Sequence, residues 1–217
     1  MLQAVDTINS DTVSFVLAIR RISESQNHSA IAFKGEDEEF RLLHLGWNYT
    51  LYYEPLKQSY FWVDNSLDPV NAKYLAVVCD RIARRQPGIP YGLNAEGFSF
   101  DPQTGNIIPG PTGRGFTCAT FILAILKAVG LELLVETSWP EEANVEWQRH
   151  IVDALRDEPD APSEQKEAVA RDIGSRRFTP EEVVGSSALS EWPISFEEAQ
   201  HFGAIVNQDL DRLSAAA

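Results

Sequence analysis

"NHSAIAFKGEDEEFRLLHLGW", residues 27–47, decides how the chain is read. Two runs rich in strand-forming residues, "HSAIAFK" (28–34) and "EFRLLHLGW" (39–47), flank the polar Gly-Glu-Asp-Glu of residues 35–38. Strand formers on both sides of turn formers are the pattern of a β-hairpin. Each arm carries one histidine. A hairpin centred on residue 36 would set His28 and His44 directly opposite one another, on one face, with Cβ atoms about 5 Å apart. A one-residue slip would send one of them to the other face. The small Ala30 and Ala32 follow His28 on that face, so a helix is expected to lie close to the sheet there.

Outward from the hairpin, further strands are expected at 12–20, 49–55 ("YTLYYEP"), 59–64 ("SYFWVD") and 131–136 ("LELLVE"). Apolar spacing predicts a helix over 70–86, with Cys79 in its middle as a packing residue. The loop 87–116 is dense in Gly, Pro and Asn; at this length it is either functional or holds short strands. It feeds into "GRGFTCATFILAILKAVG" (113–130), a buried helix with Cys118 at its first turn and Gly130 as its stop. After Pro140 the pattern turns to amphipathic helices, the last opening on the Ser-x-x-Glu of a capping box.

Charge divides the chain in the same place. The net charge is −14; residues 1–138 hold 15 acidic and 11 basic side chains, residues 139–217 hold 17 and 7. We therefore read one domain over 1–138 and an acidic helical extension over 139–217. Such a balance argues against nucleic acid, which requires a basic patch. The apolar run near 121–129 is too short to span a bilayer. The N-terminal stretch has no basic n-region and no small-residue cleavage site, so the expectation is a cytoplasmic protein, although a signal-less export route would leave no trace. Two cysteines make no disulfide framework, and the histidines at 28, 44, 150 and 201 have no metal-ligand spacing; no metal or cofactor is expected. His150 and His201 fall on acidic helices and read as surface residues.

A thiol acts as a nucleophile when it is ionised. A helix N-terminus lowers its pKa, and so does a neighbouring imidazole. Cys118 has the first; the hairpin histidines are candidates for the second, one as base and the other orienting it. From the residues alone Cys118 also reads as a small core side chain, and each histidine as a structural one. The aromatic clusters "WNYTLYY" and "SYFWVD" read either as sheet core or as groove lining.

"NHSAIAFKGEDEEFRLLHLGW", followed much later by "IPYGL" and "GRGFTCATFILAILKAVG", resembles the circularly permuted NlpC-type branch of the papain-like superfamily. That branch holds the lecithin:retinol acyltransferase relatives and the YiiX-like bacterial proteins. Its members open a strand with His-x-Ala-Ile-x-aromatic, place a second polar residue on the next strand, and begin a buried helix with cysteine. The histidines precede the cysteine there, as they do here. The resemblance covers about residues 10–138 and implies an α+β fold, an antiparallel papain-like half-barrel packed on the helix that bears the nucleophile. It makes Cys118 the nucleophile, His28 the general base and His44 the orienting residue. Tyr91, in "IPYGL", is similar to the tyrosine that joins the backbone N–H of the cysteine in holding an oxyanion. Two departures are a longer gap between the histidines and Thr117-Cys118 where Asn-Cys is common. Should His44 not be the third member, Tyr49 and Glu54 are the substitutes.

The expected function is that of a cysteine hydrolase of amide bonds, a peptidase or amidase working through an acyl-enzyme on a peptide, amide or acyl substrate. The alternatives are lipid or thioester acyl transfer, a ubiquitin-type isopeptidase, and a non-catalytic module whose acidic helices hold a basic partner protein. Lipid transfer would need a membrane-binding face, and an acidic extension is repelled by anionic lipid.

Overall fold

The hairpin forms, and its turn sets the register. In the computed structural model, which describes residues 1–214, β1 (Gln3–Ala4) is followed by an antiparallel meander of β2 (Phe15–Ser23), β3 (Gln26–Lys34), β4 (Phe40–Trp47) and β5 (Thr50–Pro55). At the β3–β4 turn the Gly35 N–H donates to the Glu39 carbonyl at 2.9 Å, and Glu38 takes φ 66°. This is a three-residue loop that closes on a left-handed residue. It centres the hairpin on residue 37 rather than 36, pairing Ile31 with Leu43 and Ala32 with Leu42. His28 and His44 are therefore not directly opposite, which corrects the register expected from the sequence. They are displaced by two residues, and an even shift leaves both on the same face.

β6 (Phe61–Val63) pairs with β2 and carries β1 on its far side, so the six-stranded sheet runs β1-β6-β2-β3-β4-β5. The architecture is α+β, with this antiparallel sheet and six α-helices among the described residues. One face presents Leu17, Ile19, Ile31, Phe33, Leu43 and Leu45 to α1 (Pro69–Arg85) and α2 (Cys118–Ala128). The other presents Ala18, Ala30, Ala32 and Leu42 to Tyr60, Trp62 and Val5. The α2 helix thus lies on the bulky face and not, as expected, over Ala30 and Ala32. Its fully buried Phe121, Ile122 and Ile125 gain more contact against Ile31, Phe33 and Leu43, each large side chain contributing about 1.5–3 kcal/mol. The small alanines leave room that the Tyr60 and Trp62 rings fill instead.

Local chemistry explains where the helices start and stop. The Asp68 carboxylate accepts from the Val70 and Asn71 N–H groups and Pro69 occupies the first turn of α1. Cys79, midway along α1, is fully buried. Thr117 caps α2 in a reciprocal bond pair with Thr120, and Gly130, at φ 80°, ends it. The loop before α2 holds a two-stranded ribbon, β7 (Ser99–Phe100) and β8 (Ile107–Ile108). The strand expected over 131–136 does not form. Leu133 and Leu134 are both buried, which breaks alternation, and Leu134 makes a single bridge to Ile194, which lies in no strand.

After residue 138 come α3 (Val145–Arg156), α4 (Ser163–Arg171), α5 (Pro180–Ser187) and α6 (Phe196–Ser214). Their buried Val152, Leu155, Val183, Val206 and Leu210 belong to the same apolar cluster as α2 and the sheet. Residues on both sides of 138/139 therefore share one core. The α5 helix packs on β2, β3 and α2, which brings the extension to the start of the α2 helix. Among the described residues no helix is long and apolar enough to cross a membrane.

Candidate functional site

The β3–β4 ladder covers only Ile31–Lys34 and Phe40–Leu43. Beyond it the strands part: residues 26–30 keep β2 alone as partner, and residues 44–47 keep β5 alone. Both histidines stand in this fork, buried on the face shared with Tyr60.

The histidines form a chain. His28 Nε2 lies 2.8 Å from His44 Nδ1, and His44 Nε2 lies 3.1 Å from Glu54 Oε1. Glu54 Oε2 is held by the Lys57 ammonium at 2.6 Å. Burial pushes the Glu54 carboxyl up, but hydrogen bonds from Lys57 and His44 outweigh it and leave its pKa below the ordinary value. An ionised carboxylate only accepts, so His44 Nε2 carries the proton and its Nδ1 accepts from His28 Nε2–H. By elimination His28 Nδ1 is a bare lone pair, and it has no hydrogen-bond partner among the described residues. Desolvation, then the charges of His44 and Arg20, hold the His28 pKa down to about 3; desolvation also lowers that of His44 despite Glu54. Both rings are neutral near pH 7.

Cys118 is the first residue of α2 and approaches the same fork from the other face. Alternation along β3 turns His28 and Ala30 one way and Ser29 and Ile31 the other, and Ser29 is the residue that meets the thiol. Burial pushes the thiol pKa up, against the opposing pull of the backbone N–H groups of Ser29, Ala119 and Cys118 itself. The Ser29 hydroxyl is buried with no hydrogen-bond partner among the described residues. The lowered pKa expected at a helix start is therefore absent. The partial charge of a helix end contributes only about 0.3–1 kcal/mol, less than the desolvation it faces here. No hydrogen bond joins Cys118 to His28 or His44 among the described residues; the thiol approaches one face of β3 and the imidazoles stand on the other.

Tyr91 reaches the site through a parallel bridge to Phe116, next to the Thr117 cap. Its N–H donates to Asn48 Oδ1 at 2.9 Å, its carbonyl accepts from Gln165 Nε2 at 3.1 Å, and its ring lies 4.5 Å from that of Trp47. Burial and then the Cys118 charge push its hydroxyl pKa up, so it stays protonated and able to donate. Of the two substitutes for His44, Glu54 sits in the relay, while Tyr49 faces outward and its hydroxyl donates to Gln165 Oε1 at 3.2 Å. His150 and His201 are exposed on their helices.

Sequence reasoning missed several residues. Ser29 hides between the histidine and the alanine motif. Tyr60 is wholly buried beside both imidazoles, 6.5 and 5.9 Å between ring centres, with its hydroxyl unpartnered. Gln165 and Arg177 come from the extension, and no local pattern marks either one. Among the described residues no group of His, Cys, Asp and Glu could hold a metal ion. A scan of family models and searches of curated proteins and of solved structures return no match to this chain.

Proposed function

We propose that the protein is a cysteine-dependent hydrolase of amide bonds with a permuted papain-like fold. The observation that carries this reading is the His28–His44–Glu54 relay, whose tautomers leave His28 Nδ1 as an unshared base in the fork that the Cys118 end of α2 approaches. A neutral thiol and a neutral imidazole favour attack with the proton moving at the same time, not a preformed ion pair. As Sγ bonds to the carbonyl carbon, the thiol proton passes to His28 Nδ1. The new imidazolium is stabilised through His44 by the Glu54 carboxylate. The backbone N–H of Cys118 and the Tyr91 hydroxyl are the donors for the oxyanion. Collapse breaks the C–N bond, His28 returns the proton to the leaving amine, and water then releases the acyl group by the reverse sequence.

A thiol at a helix start, with a histidine relay on a strand earlier in the chain, supports the papain-like reading over a general α+β one. Hydrogen bonds at catalytic centres are often long before substrate binds, and closing the gap between Cys118 and His28 is the step this reading requires.

A second reading, a non-catalytic binding module, draws on one observation. The extension reaches over the site, Gln165 to Tyr91 and Glu181 to Asn27 at 2.9 Å, while burial keeps the thiol un-ionised. Acylation by p-nitrophenyl acetate separates the two. The hydrolase should give a burst with the acetyl group on Cys118 by mass spectrometry. Its rate should be level between about pH 5 and 8, because His28 stays neutral down to about 3, and should fall about 10²- to 10⁴-fold in His28→Ala. Absence of the adduct, or a rate that ignores His28 and follows the thiol's own titration, would leave the binding module as the reading that stands.

A further inference from the structure

The extension supplies a cation whose hydrogen-bonding capacity the fold does not use. Arg176 and Arg177 are neighbours with opposite fates. Arg176 donates to the Trp139 carbonyl at 3.1 Å and pairs with Glu141 at 3.0 Å. Arg177 makes no hydrogen bond and no ion pair among the described residues. Its guanidinium is half-buried and lies 3.9 Å from the centre of the Trp147 ring, a cation–π contact that uses none of its five N–H donors.

The carboxylates nearest to it are engaged elsewhere. Glu181 accepts from Asn27 Nδ2 at 2.9 Å, and Glu182 accepts from the Trp139 indole at 3.3 Å and the Thr179 N–H at 2.9 Å. The Asn27–Glu181 bond ties the start of α5 to β3 one residue before His28, so the segment that bears Arg177 runs beside the fork. Asn27 alternates with His28 and so shares with Ser29 the strand face that the start of α2 approaches, which puts the Asn27–Glu181 tie on the thiol's side of the sheet. Burial lowers the Arg177 pKa, and the charges of Glu181, Tyr91, Glu182 and Cys118 oppose this.

We infer that Arg177 is a substrate-recognition residue, and that the acyl substrate carries a carboxylate close to the carbonyl that Cys118 attacks. A planar carboxylate matches the guanidinium fork in a bidentate pair. A phosphate dianion fits less well, because its second charge would meet Glu181 and Glu182. This inference rests on the hydrolase reading and narrows its substrates to acidic ones.

Iodoacetate and iodoacetamide alkylate a thiol by the same displacement and are nearly equal in size, but only the first is an anion. The ratio of their rates at Cys118, mapped by mass spectrometry, reads the charge that the thiol's surroundings offer. The ratio should fall about tenfold from wild type to Arg177→Gln, the worth of a charge-assisted hydrogen bond. It should fall further in Arg177→Glu. Arg177→Lys, which keeps the charge and loses the fork, should lie between wild type and Arg177→Gln, and circular dichroism confirms that each variant is folded. A ratio indifferent to Arg177 while alkylation still depends on His28 overturns this inference and leaves the hydrolase standing. Failure of both reagents to reach Cys118 overturns the two together, since an anion held at Arg177 would have no thiol to meet.

Discussion

The two ends of the β3–β4 hairpin are built from the same strands and do opposite things. At the closed end Ile31, Ala32 and Phe33 pair across to Arg41, Leu42 and Leu43, and Ile31, Phe33 and Leu43 fill the core against α2. At the open end the ladder is absent, and the buried residues there are polar: Asn27, His28, Ser29 and His44. Parting the strands frees backbone and leaves room between them. Two imidazoles and a carboxylate can then satisfy one another, and the start of α2 can bring a thiol in from the opposite face. The closed end holds the open one in place; a polar relay in the middle of a ladder would have no such gap to open into.

Removing side chains at each end tests that division. The largest expected effect belongs to the closed end. Phe33→Ala, at a fully buried position, should cost about 4 kcal/mol in urea unfolding, since it loses both transfer energy and packing. A cost below about 1 kcal/mol would mean that the closed end is not the anchor.

Acid should act through the open end. Folding lowers the His28 pKa from 6.5 to about 3, so between these values the unfolded chain binds the proton and the folded one does not. Stability conferred by the neutral ring is complete above about pH 6.5 and drains away as pH falls toward 3. From pH 6.5 to 4.5 this amounts to at most about 3 kcal/mol. Chemical unfolding across this range should be visibly flatter in His28→Ala than in wild type; parallel curves would mean that His28 titrates freely and that the fork is open to water.

The smallest effect sharpens the boundary between the two ends. Thr117 caps the helix that begins at Cys118, and Thr117→Ala should lower stability by about 1 kcal/mol, read as a drop in Tm. A drop several times larger would show that Thr117 supports the site and not the helix end alone.

Much of this molecule is local and was legible. The hairpin follows from turn formers between strand formers, and the α2 start and stop follow from Thr117 and Gly130, because caps and turns are decided by residues in contact along the chain. The resemblance carried His28, His44, Cys118 and Tyr91 as one group; the structure hydrogen-bonds His28 to His44, and joins neither Cys118 nor Tyr91 to them among the described residues. Three matters were decided only by tertiary structure. The choice of which face α2 covers came from matching side-chain volumes across the sheet. The thiol's raised pKa came from its burial, and the bond from Gln165 to the Tyr91 carbonyl came from the extension packing into the shared core. The physical reason is common to these cases: desolvation and long-range packing are sums over neighbours that the chain brings together only by folding, so no window of sequence contains them.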